Sequence, residues 1–255
     1  EIRAAIGERT AAVVLVPRGD LPLEPVIEVA RSEDIPVVID AAGLLPPRRN
    51  LSRFVDLGAD LVVFSGGKGI RGPQSTGMIA GRHDLIASIA AQHLDMDAMA
   101  STWDPPTTLL DSGAFDGVPR HGIGRGFKVG KEELAGFIRA LEGFVDGDDN
   151  ADYADWDARA RRIGERLTDD GFAVDYPGGD RDAVVTTVEV TVDPDRTGVT
   201  ARKLVSTLVQ EDPRVVVGDR DIAAGRVAVD PRSLTDVEAD YLVDRVRANC
   251  PGIDG

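Results

Sequence analysis

Residues 35–81 read IPVVIDAAGLLPPRRNLSRFVDLGADLVVFSGGKGIRGPQSTGMIAG. The run Pro36 to Ile39 (PVVI) is short and β-branched, reads as a buried strand, and is followed by Asp40. Leu51 to Leu57 has helical spacing. A second apolar run, Leu61 to Phe64 (LVVF), is followed by Ser65 and, three residues later in a glycine-rich turn, by Lys68. Gly77 to Ala80 (GMIA) reads as a further strand. Strand, helix and strand joined by short connections predict a layered α/β architecture with a mostly parallel sheet. Chemistry in such sheets collects beyond the carboxyl ends of the strands, where Asp40 and Ser65 to Lys68 stand.

The pattern extends in both directions. Ala11 to Val16 (AAVVLV) reads as a strand buried on both faces, and Leu23 to Arg31 as a helix. Asp84 to Gln92 and Lys131 to Val145 are helical, separated by a looser stretch from Asp95 to Val129. The texture then changes. An acidic segment, Asp146 to Asp157, leads into a helical pattern reaching about Thr168. Ala183 to Val192 alternates like a strand with one wet face. Val199 to Val209 reads as a helix, and Val215 to Val217 and Val227 to Val229 as short strands. Thr235-Asp236-Val237-Glu238 is a capping box opening a last helix. Residues 1–147 therefore read as an α/β large domain with a linking helix, and 148–255 as a small α+β domain.

The chain has 255 residues, a formal net charge of −15 and one cysteine, Cys250. This length can bury a sizeable core without disulfides, and the single cysteine excludes a disulfide framework or a multi-cysteine zinc site. No run reaches a membrane span and no signal segment opens the chain, which points to a soluble, cytoplasmic protein. The charge argues against broad contact with nucleic acid or an anionic membrane. The 25 Arg and 4 Lys among the bases, and 32 Asp among the acids, fit either a salt-adapted, halophile-like proteome or a GC-rich codon bias. The chain opens at Glu1 without an initiator Met, inside a helical pattern, as a piece of a longer protein would.

Familiar motifs fail one by one. Gly66-Gly67-Lys68 resembles the end of a P-loop, but Gly69 stands where a hydroxyl must reach a metal. Gly122-Ile123-Gly124-Arg125-Gly126 lacks the dinucleotide spacing and follows no strand. Asp146, Asp148, Asn150, Asp152 and Asp157 approach calcium-loop spacing, yet Ala151 takes the turn glycine's place and Asp157 that of the bidentate Glu. His83, His93 and His121 are too scattered for a metal site, so no metal is expected. Lys68 is harder to set aside. Arginine serves as surface charge but cannot deprotonate to an amine nucleophile, so a lysine among glycines at a strand end is either functional or a solvated charge.

The turn Ser65-Gly66-Gly67-Lys68-Gly69-Ile70-Arg71-Gly72-Pro73-Gln74, continued by Gly77 to Gly81, resembles the cofactor-binding half of fold-type I pyridoxal-phosphate enzymes. The branch it resembles contains selenocysteine synthase (L-seryl-tRNA(Sec) selenium transferase) and D-glucosaminate-6-phosphate ammonia-lyase. The block Gly124-Arg125-Gly126-Phe127-Lys128-Val129-Gly130-Lys131 is similar to the same branch. The resemblance implies pyridoxal 5'-phosphate held as a Schiff base on Lys68, which also serves as the catalytic base. It implies Asp40 against the pyridinium nitrogen, Ala42 facing the ring and Ser65 holding the phosphate. Arg125 and Lys128 are candidates either for an anionic substrate group or for surface salt bridges, with Gln74, Arg71 and His121 behind them.

The implied reaction is α,β-elimination on a small amino acid or amino sugar acid, by an enzyme that is a homo-oligomer. Selenium transfer by β-replacement on seryl-tRNA, transamination and a non-catalytic remnant or partner subunit are the alternatives. The sequence departs from the branch at its start. The phosphate cup and the group that stacks on the cofactor belong to a part of the large domain that would precede Ala11, and the tRNA-binding amino-terminal domain is also absent.

Overall fold

The computed structural model describes residues 2–18, 21–94, 99–119, 122–169, 172–177 and 186–253. Valine-rich runs too short for helices pair side by side in the first of two units, Glu1–Gly147. Its elements are α1 (Ile2–Ala5), β1 (Val13–Leu15), α2 (Leu23–Ser32), β2 (Val37–Asp40), α3 (Asn50–Asp56), β3 (Leu61–Ser65), β4 (Gly77–Gly81), α4 (His83–Gln92) and α5 (Lys131–Val145). Short 3₁₀ turns at Ala100–Thr102, Ser112–Ala114 and Ile123–Phe127 occupy the looser stretch. The sheet order is β1-β2-β3-β4.

β1, β2 and β3 run parallel, and β4 returns antiparallel against β3. The reason is chain length: only residues 66–76 separate β3 from β4, too few for the crossover of a dozen or more residues that a parallel neighbour needs. The apolar faces of α2 (Val26, Ile27, Ala30), α3 (Phe54) and α5 (Phe137, Phe144) cover a core built on Val37, Ile39, Val62 and Phe64. β1 corrects the sequence reading. Leu15 is buried, whereas Val14 is 64% and Val16 44% exposed, so among the described residues one face of the run is covered and the other is not.

The second unit, Asp148–Gly255, is built from α6 (Asp149–Asp169), β5 (Ala173–Asp175), β6 (Val188–Thr191), α7 (Pro194–Thr197), α8 (Ala201–Leu208), β7 (Arg226–Val229) and α9 (Asp236–Ala248). Its three strands form an antiparallel sheet in the order β5-β6-β7. Ile163 and Leu167 of α6, Leu204 and Leu208 of α8, and Leu242, Val243 and Val246 of α9 pack on Val188 and Val190. The acidic run does not merely precede α6 but enters it, with Asp149 and Asp152 in the first turn, where the positive end of the helix dipole favours them. The near-calcium spacing therefore lies largely on a helix.

Val215 to Val217 is not a strand. Val215 and Val217 are buried and Val216 exposed, an alternation that mimics one, but only Gly218 bridges to the sheet, at Ala228. β5 had no pattern strong enough to announce it. Of the expected strand from Ala183, residues 183–185 lie outside the described residues. The Thr235 capping box is present, each partner accepting from the other's backbone amide.

Arginines of α6 face aspartates of α9: Arg159 Nε to Asp236 at 3.0 Å, Arg162 to Asp240 at 2.5 Å, and Arg166 to Asp240 and Asp244 at 2.9 and 2.7 Å. Arg159 is largely buried along its length, but each carboxylate partner is at least partly exposed, and surface pairs of this kind each contribute little. Two further carboxylates make stability pH-dependent. Hydrogen bonding from Arg161, helped by Thr186, holds the Asp157 carboxyl below its usual range. Burial alone would raise Asp230, but the Arg232 side chain and amide outweigh it and hold that carboxyl low too. A depressed folded value means stability present above the unfolded value of about 3.9 and lost as pH falls through the folded one. Circular dichroism melts are therefore expected to show falling stability as pH drops below about 4, and Asp157→Asn should flatten that fall.

Among the described residues, no helix is long and apolar enough to cross a membrane. Cys250 is wholly buried, and burial pushes its thiol up to about 11, so it is inert as a nucleophile.

Candidate active site at the carboxyl end of the first sheet

The register places Asp40 opposite Val63, and the Ala41 amide donates to the Val63 carbonyl at 2.9 Å. Ser65 lies two residues beyond Val63 on β3, so Asp40 and Ser65 share one face of the sheet, and Ala42 follows Asp40 in the turn beyond the end of β2. Asp40 is half-buried. Its Oδ1 accepts from the Ala42 amide at 3.0 Å, which turns the chain away from the strand and leaves the other oxygen without a partner among the described residues.

Lys68 sits on the loop from β3 to β4, and packing explains the glycines around it. A Cβ on Gly66 would collide with Thr76 Oγ1, one on Gly69 with the Leu45 carbonyl, and one on Gly67 would lie 2.6 Å from the Gln74 Cα. The Gly66 amide donates to the Thr76 carbonyl at 2.9 Å, and the Gly72 amide to the Gly66 carbonyl at 2.7 Å. Arg71 takes the left-handed conformation, φ 62°, and its amide closes a turn onto the Lys68 carbonyl at 2.9 Å. Ile70, 2% exposed, anchors the loop in the core. The Lys68 side chain itself is exposed and makes no ion pair or hydrogen bond among the described residues.

Other candidates fall elsewhere. The Gln74 side-chain amide donates to the Gly67 carbonyl at 2.9 Å. Arg125, half-buried, belongs to the 3₁₀ turn at Ile123–Phe127, and Lys128, exposed, follows it at its carboxyl end. That turn docks on the end of α4 through the Ile123 amide and Gln92 Oε1, 3.0 Å apart, with Gly124 close against His93. His121 lies outside the described residues.

Two contributors escaped the sequence reading. Buried Thr76 donates its hydroxyl to the Pro73 carbonyl at 2.6 Å, and buried Asn50 donates to the Leu44 carbonyl at 2.7 Å, which braces the loop that touches Gly69. Both hold backbone, and neither sits in a pattern that distinguishes it from an ordinary turn or cap residue.

No family model matches the chain. A solved D-glucosaminate-6-phosphate ammonia-lyase superposes with a TM-score of 0.69 at 22% identity, over 99% of this chain and 61% of that one. The fold is that of the fold-type I pyridoxal-phosphate enzymes.

Three curated relatives agree with that fold. A 5'-C-glycyluridine monooxygenase-decarboxylase from a Streptomyces species is 29% identical, over 96% of this chain and 55% of its own. A D-glucosaminate-6-phosphate ammonia lyase from Salmonella typhimurium is 26% identical, over 97% and 59%. An L-seryl-tRNA(Sec) selenium transferase from Nitratidesulfovibrio vulgaris is 25% identical, over 92% and 51%. The chain thus spans little more than half the length of these relatives. All three are named as enzymes, and pyridoxal phosphate is the cofactor expected with this fold.

Proposed function

We propose that this chain is the lysine-bearing part of a pyridoxal-phosphate-dependent lyase that carries out α,β-elimination on a small amino acid or amino sugar acid. One observation carries the reading: Asp40 and Ser65 leave one face of adjacent parallel strands, with Ala42 in the turn that follows Asp40, at the end where a glycine-packed loop presents Lys68.

The donor set suits the cofactor. Asp40 has one oxygen fixed by the Ala42 amide and one open to a protonated ring nitrogen. Ala42 is small enough for a ring to approach, Ser65 offers a hydroxyl to the phosphate, and the Lys68 amine is uncommitted. Pyridoxal phosphate, when bound, supplies the electron sink that makes a substrate Cα–H bond breakable. Lys68 holds the cofactor and takes that proton at Nζ, which a guanidinium could not do. Asp40, as an anion, keeps the ring nitrogen protonated. Arg125 and Lys128 receive an anionic substrate group, Arg through a planar fork and Lys as a point charge. A homo-oligomer belongs to the same reading.

The test begins with the chain and pyridoxal phosphate. An absorption band near the violet edge of the visible is expected, removed by borohydride, with the label mapped to Lys68. Ammonia and keto-acid release from phosphorylated amino sugar acids or amino acids would identify the lyase. A chain that is folded by circular dichroism yet gives no band overturns the reading.

A second reading is favoured by the 29% identical relative, whose name describes an oxygen-dependent loss of carboxylate. Loss of a carboxylate from an amino acid also breaks a bond at Cα, so the same lysine and carboxylate would serve such a reaction. Oxygen consumption during turnover separates the two. The net charge of −15 weighs against β-replacement on seryl-tRNA, and a gel shift with that tRNA tests it.

A further inference from the structure

We infer that Gln74 is a positioning residue for Lys68 rather than a substrate ligand, an inference that rests on the proposed role of Lys68. The Gly67 carbonyl and the Lys68 amide belong to one rigid peptide plane. Among the described residues, the bond from the Gln74 side-chain amide at 2.9 Å is the one that reaches this plane. The other closures of the loop act on its neighbours: Gly66 to Thr76, Gly72 to Gly66, and Arg71 to the Lys68 carbonyl. Gln74 also lies flat against Gly67, where a Cβ would fall 2.6 to 2.7 Å from its Cα and carboxamide atoms.

Gly67 can rotate its peptide more freely than any other residue type. The carboxamide removes that freedom one residue before the lysine, and so fixes the direction in which Cα–Cβ of Lys68 leaves the backbone. An exposed glutamine doing this acts through Gly67 and touches neither substrate nor cofactor.

The chain has four lysines, so three report as internal controls. Reductive methylation of the chain without cofactor, followed by mass spectrometry across a pH series, reads the accessibility and basicity of each amine. Gln74→Glu keeps the shape but loses the donor, and Gln74→Met keeps the length without polarity. Both are expected to change the Lys68 modification rate by about 2- to 10-fold, the equivalent of one net hydrogen bond, with Lys128, Lys131 and Lys203 unmoved.

Gln74→Lys, which restores a donor, should recover the Lys68 rate at least in part. Unchanged Lys68 profiles in both the Glu and Met variants overturn the inference. So does a Lys68 change accompanied by equal changes at the other three lysines, which reports general loosening. These readouts need no bound cofactor. Absence of the violet band would sink the proposed function, whereas an unmoved Lys68 profile would sink only the role of Gln74.

Discussion

Lys68→Arg is expected to abolish the borohydride-stable cofactor label and any elimination activity while leaving the melting curve unchanged. The side chain is exposed and uncommitted among the described residues, so its replacement breaks no contact that holds the fold. Arginine keeps the charge and much of the length but offers no amine that can lose a proton. The contrast between intact stability and total loss of label is the signature of a functional lysine. A label that survived at another lysine would refute the assignment. Asp40→Asn should behave differently, retaining the label while losing turnover, because the amide leaves the covalent attachment intact but cannot hold the ring nitrogen's proton.

Gly69→Ala should cost roughly 1–3 kcal/mol, the usual penalty for forcing atoms into a packed site. The new Cβ meets a main-chain oxygen, that of Leu45, which cannot swing aside as a side chain could. Gly43 provides the control. It lies in the preceding loop, yet a Cβ there meets nothing within 4 Å, and its φ is not in the left-handed region. Gly43→Ala is therefore expected to be neutral, or to stabilise by about 0.4–1 kcal/mol by restricting the unfolded chain. Thermal melts of the two variants should move in different directions. Equal destabilisation would show that the loops tolerate no change at all, whatever the contact.

The part of the fold that was legible was the part where local pattern and tertiary burial agree. PVVI and LVVF are both short and β-branched, and both became central parallel strands because each has a neighbour on either side. AAVVLV has the same texture but has one uncovered face among the described residues, since composition does not reveal what packs on a strand. The Val215 to Val217 alternation records burial of every second residue, which an extended segment can show without a hydrogen-bonded ladder. At the candidate site, Asp40, Ser65 and Lys68 stand out in the sequence because strand ends are where topology gathers function. The backbone contacts of Gln74, Thr76 and Asn50 could not. Their work is to satisfy particular backbone carbonyls, and which carbonyls need satisfying is known only once the loops are folded.

The antiparallel return of β4 makes the loop's length as constrained as its composition. Ser65 pairs with Gly77 and Phe64 with Met78, so both ends of the loop are fixed by sheet register. With Gly66, Gly69 and Ile70 packed between them, an inserted or deleted residue that the loop does not absorb unpairs these ends or slips β4 by one place. A slip would reverse its faces, moving Met78, which packs against the core, outward and Ile79, now 40% exposed, inward. Insertions and deletions should therefore be excluded from residues 66–76, even though the loop runs along the surface, where chain length is ordinarily free to vary.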